Sequence, residues 1–303
     1  MPGLAVSHVF QHTLAAPVIF AGQGLHTGCD VRCAIRPAAS DTGVIFVRTD
    51  LSEGDNRIPA RGETVIQTRL GTVVGNAAGA SVSTIEHLMA ALAALGVDNA
   101  LIELDGPEVP VMDGSAEPFV RLLDRVGLRQ QPALRRYIEI LEPVEVVDGS
   151  RSAAFVPADS DQFEVSLEID FDSDAIGRQR VDLVLDESAF RSQLADARTF
   201  GFVGEVEALR RAGLARGGSM DNVVVIEGDR VLNPEGLRHP DEFVRHKALD
   251  ALGDLYLLGA PVLGRFEGVR SGHEMNNALV RALAAQPQAW RWRTLDQGLA
   301  AAV

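Results

Sequence analysis

The order in which hydrophobic patterns follow one another constrains this chain more than any single segment does. Strand-like runs at residues 17–20, 29–35 and 43–47 come first. They precede a helical pattern over 84–95, in which Ile85, Leu88, Met89, Leu92 and Leu95 recur at helical spacing. A strand-like run at 99–104, a turn-rich stretch from Asp105 to Ser115 and a short helix over 117–126 complete the first half. After 127–136, which contains Gln130-Gln131-Pro132 and reads as a linker, the order restarts with strands at 137–147, 163–171 and 180–185. The segment 163–171 alternates strictly between apolar and polar residues, so one face is buried and the other wet. Helices are expected over 187–197, 204–212 and 241–258, then a strand at 263–269 and a last helix over 274–285. No regular β-α-β alternation appears, which points to α+β layers and away from a doubly wound parallel sheet. A chain of 303 residues has room for two cores, and the pattern divides it into domains at 1–130 and 131–303.

Composition excludes several classes. Hydrophobic residues at 46% and charged residues at 23% match a folded protein and not a disordered one. A net charge of −14 argues against broad binding to nucleic acid or to an anionic membrane, both of which need a positive face. No apolar run approaches the roughly 20 residues that cross a bilayer. The first eight residues lack the basic and long apolar regions of a signal peptide, so a cytoplasmic location is expected. Cys29, Val31, Cys33 and Ile35 alternate with Asp30 and Arg32, so both cysteines are expected as core residues of a reduced protein. They lack the spacing of a zinc or redox pair. The tail Gly298-Leu299-Ala300-Ala301-Ala302-Val303 is apolar, which suits either plain disorder or recognition by a partner or protease.

Familiar nucleotide and serine-hydrolase signatures are absent, and His273-Glu274-Met275-Asn276-Asn277 has Asn277 where a zincin helix needs its second histidine. Two other clusters carry chemistry. His246 and Asp250 are four residues apart on one helix face, with Asp254 a turn beyond. That spacing suits two corners of a metal site, but taken alone it more readily suits an ordinary helix ion pair worth about 0.2–0.5 kcal/mol. Ser83-Thr84-Ile85-Glu86-His87 fits a capping box, with Glu86 bonding back to the helix start. It also places a carboxylate beside a histidine, where a general base for a metal-activated water belongs. Together the clusters offer His87, His246 and Asp250 as three ligands, leaving a fourth position open as catalytic zinc sites require.

These residues carry a resemblance. Gly24-Leu25-His26-Thr27-Gly28, the stretch from Ser83 to Leu92, Met112-Asp113-Gly114-Ser115-Ala116, Arg198-Thr199-Phe200-Gly201-Phe202, the stretch from Phe243 to Asp250 and Ser271-Gly272-His273 resemble the UDP-3-O-acyl-N-acetylglucosamine deacetylases, in that family's order and over nearly the whole chain. The resemblance implies two α+β domains, each a mainly antiparallel sheet on a pair of helices with a small insert. It also implies a zinc amidase acting early in lipid A synthesis on a UDP-linked acylated amino sugar, with iron(II) an alternative metal.

The same resemblance implies the roles. His87, His246 and Asp250 are the zinc ligands, Glu86 the general base and His273 the cationic partner of the reacting carbonyl. Asp254 holds His273 charged, Thr199 supports the oxyanion, Lys247 shares the pocket and Phe200 packs on the sugar or nucleotide. Val203, Val206, Met220, Val223 and Val225 are candidates to line an acyl passage, or else a small satellite core. Arg270 and Arg151 are candidates for the diphosphate, because arginine clamps phosphate bidentately. The sequence leaves open whether Glu86 or His273 protonates the departing amine. One departure stands out: Arg69-Leu70-Gly71-Thr72 occupies a place where a bulkier apolar surface is expected. Two other readings remain, a related amidase for another N-acetyl sugar and a silent nucleotide-sugar binder. The second has no need of Glu86.

Overall fold

The computed structural model describes residues 9–295, so the apolar tail at 298–303 lies outside the described residues. The architecture is α+β, with two main sheets, mostly antiparallel, and six α-helices among the described residues: α1 (Glu86–Ala94), α2 (Glu117–Val126), α3 (Glu187–Gln193), α4 (Val203–Arg211), α5 (Glu242–Leu255) and α6 (His273–Ala284). The first sheet has five strands in the order Val18–Gln23, Asp30–Pro37, Ala100–Leu104, Val44–Arg48, Arg57–Pro59, and only the pairing of 44–48 with 100–104 is parallel. The second has seven, built around Val262–Val269, which pairs antiparallel with Arg151–Val156 and parallel with both Arg136–Ile140 and Phe163–Asp170. The strict alternation in 163–170 does bury Val165, Leu167 and Ile169 while their neighbours stay wetter. Each half carries a small three-stranded insert, Val65–Gln67 with Val73–Gly75 and Ser81–Val82 in the first, and Phe200–Phe202 with Val224–Glu227 and Arg230–Val231 in the second.

Helix burial shows how the layers meet. α2 is amphipathic, with Phe119, Val120, Leu122 and Leu123 buried, and Phe119 meets Phe20 of the first sheet edge-on at 5.7 Å. α5 packs against strands 163–170 and 178–185, α6 packs against 144–148 and 151–156, and α1 meets α5 between the two halves. α1 is accordingly buried over its whole run from Glu86 to Leu92. The close crossing has one steric requirement. A Cβ at Gly253 of α5 would lie 2.0 Å from the carbonyl oxygen of Glu86, so only glycine admits the contact. A mid-helix glycine costs about 1 kcal/mol relative to alanine. Here it sets the residue before His87 directly against the helix that carries His246 and Asp250.

Three expectations need correction. Residues 127–136 are no linker: Leu128–Leu134 is a strand paired antiparallel with Phe10–Leu14. Gln131, only 7% exposed, accepts from Asn99 Nδ2 and donates to the Ala38 carbonyl, which is why a polar sequence is held so firmly. Pro132 is tolerated because it falls where the register shifts, in a sheet of two strands. The single strand expected at 137–147 is two strands, 136–140 and 144–148, interrupted at Pro143, with Leu141 and Glu142 donating to the Ala289 carbonyl instead. Cys33 is buried as expected but Cys29 is exposed, because Cys29 precedes the first residue of its strand and escapes the alternation.

Candidate active site

The crossing of α1 and α5 brings His87, His246 and Asp250 together, with their ligand atoms all within 4.8 Å of one another. All three residues are buried. His246 Nδ1 lies 3.0 Å from the carbonyl oxygen of Ala197. A carbonyl only accepts, so Nδ1 carries the proton and Nε2 presents a lone pair, a common arrangement for a ligating imidazole. Burial and the neighbouring ring of His87 keep His246 neutral, with its pKa lowered to about 4 despite Asp250. Asp250 Oδ1 is buried and receives no hydrogen bond, while the Nε2 atoms of His87 and His246 stand 3.5 and 3.4 Å from it. A tetrahedral zinc with ligands at about 2.0–2.2 Å has edges of about 3.3–3.6 Å, so these spacings fit the ion. Asp250 Oδ2 accepts from Lys247 Nζ at 2.7 Å. Burial opposes ionisation of Asp250, but His246 and Lys247 outweigh it and hold the carboxyl well below its usual range.

Glu86 and His273 flank this donor set. Glu86 is 3% exposed, and burial raises its pKa against the attraction of His273 and His87. His273 Nε2 is 3.9 Å from Glu86 Oε1 and 3.9 Å from Asp250 Oδ2, while Nδ1 is 2.8 Å from Asp254 Oδ2. Burial disfavours a charged imidazole, yet Asp254, then Glu86 and Asp250, outweigh it and raise the His273 pKa to about 9. His273 is the first residue of α6, after Gly272. The capping-box reading of Glu86 fails. α1 has Ile85 at its N-cap with no side-chain cap, and Glu86 Oε2 accepts instead from the backbone N–H of Thr72 at 3.0 Å.

Two residues of the surrounding frame escaped sequence reading. Glu108, fully buried, accepts from the backbone N–H groups of His26 and Thr27 and from the hydroxyls of Thr27 and Thr84, at 2.7–2.9 Å. It thereby ties the Gly24–Gly28 turn to the residues just before Glu86. His26 in turn reaches the carbonyl of Leu70 at 3.0 Å. The second is Thr72, 1% exposed, whose hydroxyl donates to Asp254 Oδ1 at 2.5 Å. Its position in the departing Arg69–Thr72 segment was the one available signal.

The outer candidates fall in different places. Thr199 is half-buried; its N–H donates to Gly114 and its carbonyl accepts from Val224, so the Asp113-Gly114-Ser115 turn fixes it two residues beyond the carbonyl that holds His246. The ring of Phe200 packs edge-on against Phe243 at 5.0 Å, Phe171 at 5.6 Å and His246 at 6.1 Å, so it borders the histidine. Val203 and Val206 lie on α4, which has no fully buried residue, and Val223 and Val225 are half-buried on the facing segment. Met220 is 43% exposed. Arg151 is engaged by Asp148 and by Glu274, next to His273, whereas Arg270 lies 3.9 Å from Asp170.

Fold and site together describe an α+β protein with a buried donor set of two histidines and a carboxylate beside a separate buried carboxylate, the layout of a hydrolytic centre. The chain belongs to the UDP-3-O-acyl N-acetylglycosamine deacetylase family, whose model matches residues 11–285. It is 69% identical over 295 residues to the UDP-3-O-acyl-N-acetylglucosamine deacetylase of Phenylobacterium zucineum (strain HLK1), covering 97% of this chain and 100% of that one. It is 48% identical over 291 residues to the enzyme of that name from Shewanella frigidimarina (strain NCIMB 400), covering 95% and 94%.

Proposed function

We propose that this chain removes the acetyl group from UDP-3-O-acyl-N-acetylglucosamine, yielding UDP-3-O-acyl-glucosamine and acetate, the early committed step of lipid A synthesis. His87, His246 and Asp250 would hold one zinc ion, and iron(II) suits the same donors. When bound, such an ion supplies Lewis acidity, lowering the pKa of a water and polarising the amide carbonyl. Glu86, its pKa raised by burial, takes the proton of the attacking water. Charged His273, held by Asp254, faces the oxygen on which negative charge develops, and Thr199, just before the Phe200–Phe202 strand, supports that oxygen as well. Lys247 keeps Asp250 ionised. When the carbon–nitrogen bond breaks, either protonated Glu86 or His273 returns a proton to the amine. Phe200 and the apolar residues of α4 and its facing segment, Val203, Val206, Met220, Val223 and Val225, would take the sugar and acyl chain, with Arg270 and Arg151 at the diphosphate. We further propose that the chain acts as two domains, each contributing its sheet, with the expected division of 1–130 from 131–303 moved past the Leu128–Leu134 strand, which pairs with Phe10–Leu14. We also propose a cytoplasmic location; among the described residues no helix is long and apolar enough to cross a membrane.

The observation that carries this reading is the equal 3.9 Å separation of His273 Nε2 from Glu86 Oε1 and Asp250 Oδ2, which brings base, cation and ligand to one space. The test is acetate release from UDP-3-O-acyl-N-acetylglucosamine. Chelation should abolish release and zinc should restore it. Glu86→Ala should keep its metal and lose about 10²–10⁴-fold in kcat, the usual contribution of a general base. No release from the wild-type chain with any metal would sink the reading.

A further inference from the structure

The Arg69–Thr72 segment stood apart from the rest of the sequence, and its geometry gives it a task. Asp254 has two carboxylate oxygens. Oδ2 accepts from His273 Nδ1 at 2.8 Å and from Asn276 Nδ2 at 2.9 Å, while Oδ1 accepts the Thr72 hydroxyl at 2.5 Å. Glu86 divides its oxygens in the same way. Oε2 accepts the Thr72 N–H at 3.0 Å, which leaves Oε1 turned toward His273 Nε2 at 3.9 Å. One buried threonine therefore touches both carboxylates that flank the imidazole, and its hydroxyl lies 3.4 Å from His273 Nδ1 itself.

The backbone is shaped for this. Leu70 has a φ of 63°, its carbonyl is held by His26, and Gly71 has a φ of 156°. A Cβ at Gly71 would lie 2.9 Å from Glu86 Oε1, so a side chain there would push into the very oxygen that faces His273. Both oxygens of a carboxylate can accept, and a carboxylate in a buried site turns toward whatever donors it has. Removing the Thr72 hydroxyl leaves Asp254 Oδ1 without that donor, and the carboxylate is then free to swing both oxygens toward His273 and Asn276.

We propose that Thr72 is a positioning residue for the hydrolytic site: its N–H orients Glu86 and its hydroxyl orients Asp254, so that base and cation meet the reacting carbonyl together. The inference rests on the proposed amide hydrolysis for its rate effect, but its hydrogen-bond geometry is testable without turnover. Thr72→Val keeps the shape and removes the hydroxyl, and Thr72→Ser keeps the hydroxyl. In the Val variant kcat should fall about 10- to 100-fold, as for other partners of catalytic groups, with KM within about twofold of wild type. Thr72→Ser should restore most of kcat, and both variants should keep their metal. Gly71→Ala should lower kcat in the same manner. In parallel, the downfield imidazole N–H proton of His273, assigned by its loss in His273→Gln, should shift or broaden in Thr72→Val and persist in Thr72→Ser. A wild-type chain without acetate release would fail the deacetylase reading alone, and the proton signal would still decide this one. An unchanged signal in Thr72→Val, an unchanged kcat in an active enzyme, or a loss that Thr72→Ser fails to rescue would overturn it.

Discussion

Asp241 and Arg245 at the start of α5 are four residues apart, as are His246 and Asp250 on the next turn, and both pairs are close. Arg245 Nε donates to Asp241 Oδ1 at 2.6 Å, while His246 Nε2 and Asp250 Oδ1 are 3.4 Å apart. Their surroundings differ. The first pair is part-exposed, with side chains 19% and 35% accessible, and the second is at 3% and 5%. Beside the first pair sits a fully buried ion pair of structural kind. Glu242 Oε1 accepts from the N–H and Nε of Arg198, Oε2 accepts from Arg198 Nη2 and the N–H of Arg238, and neither oxygen is left over. Asp250 is buried almost as deeply, yet its Oδ1 has no hydrogen-bond donor and stands 3.5 and 3.4 Å from the Nε2 atoms of His87 and His246. Satisfied burial marks scaffold, and unsatisfied burial aimed at further donors marks a place for a cation.

The sharpest way to break this contrast is Glu242→Gln. Removing one partner of a buried, fully bonded pair typically costs about 3–5 kcal/mol; here the buried guanidinium would keep only Glu235, a half-exposed acid at 2.6 Å from Nη1, as its charge partner. Urea unfolding should show a loss of that size, while elemental analysis of the folded fraction finds full metal. Metal loss in step with stability would mean that the two clusters are one unit and the distinction is false.

A smaller effect separates the two clusters by pH. In chelated protein, His273 has a folded pKa of about 9 against the usual 6.5, since Asp254 outweighs the burial that opposes its charge. The folded state thus binds the proton more tightly, so this stabilisation is complete below about pH 6.5 and is lost as pH rises through about 9. Urea midpoints of the chelated wild type should fall relative to His273→Gln over that window. Parallel curves for the two proteins would remove the charged His273 from the mechanism.

Much of this was legible in the sequence, for identifiable reasons. The helical spacing over 84–95 and the alternation in 163–171 report burial directly, and the elements formed within a few residues of those patterns. The grouping of His87, His246 and Asp250 with Glu86 was read from two separate clusters as one open metal site, but its assembly in space and the place of His273 came only through resemblance, because spacing fixes which face a residue occupies and not which helix that face meets. Residues 127–136 misled because a polar strand held by Gln131 and Asn99 looks like a linker until its partner strand is placed. Glu108 and Thr72 act through hydrogen bonds to loop backbone or to residues far along the chain, which no periodicity records. Glu86 fitted a capping box in sequence because the box requires only a residue type at a spacing, and the Thr72 N–H competes for the same carboxylate.

The smallest expected effect is also the cleanest control on the spacing itself. Asp241 stands at the N-cap position of α5 but makes no side-chain cap bond, so its replacement removes an ion pair and little else. Arg245 keeps its Nη1 bond to the Gln193 carbonyl. Exposed pairs at this spacing are screened by solvent and contribute about 0.3–0.5 kcal/mol. Asp241→Asn should therefore shift the unfolding free energy by about 0.5 kcal/mol or less, with metal content and turnover unchanged. Asp250→Asn, at the same spacing one turn later, should lower metal content sharply, because the amide oxygen is a far weaker ligand than the carboxylate it replaces. If Asp241→Asn also emptied the site, burial and unsatisfied bonding would not be what distinguishes the two turns. The helix would then act as one electrostatic unit, with its first turn tuning the second.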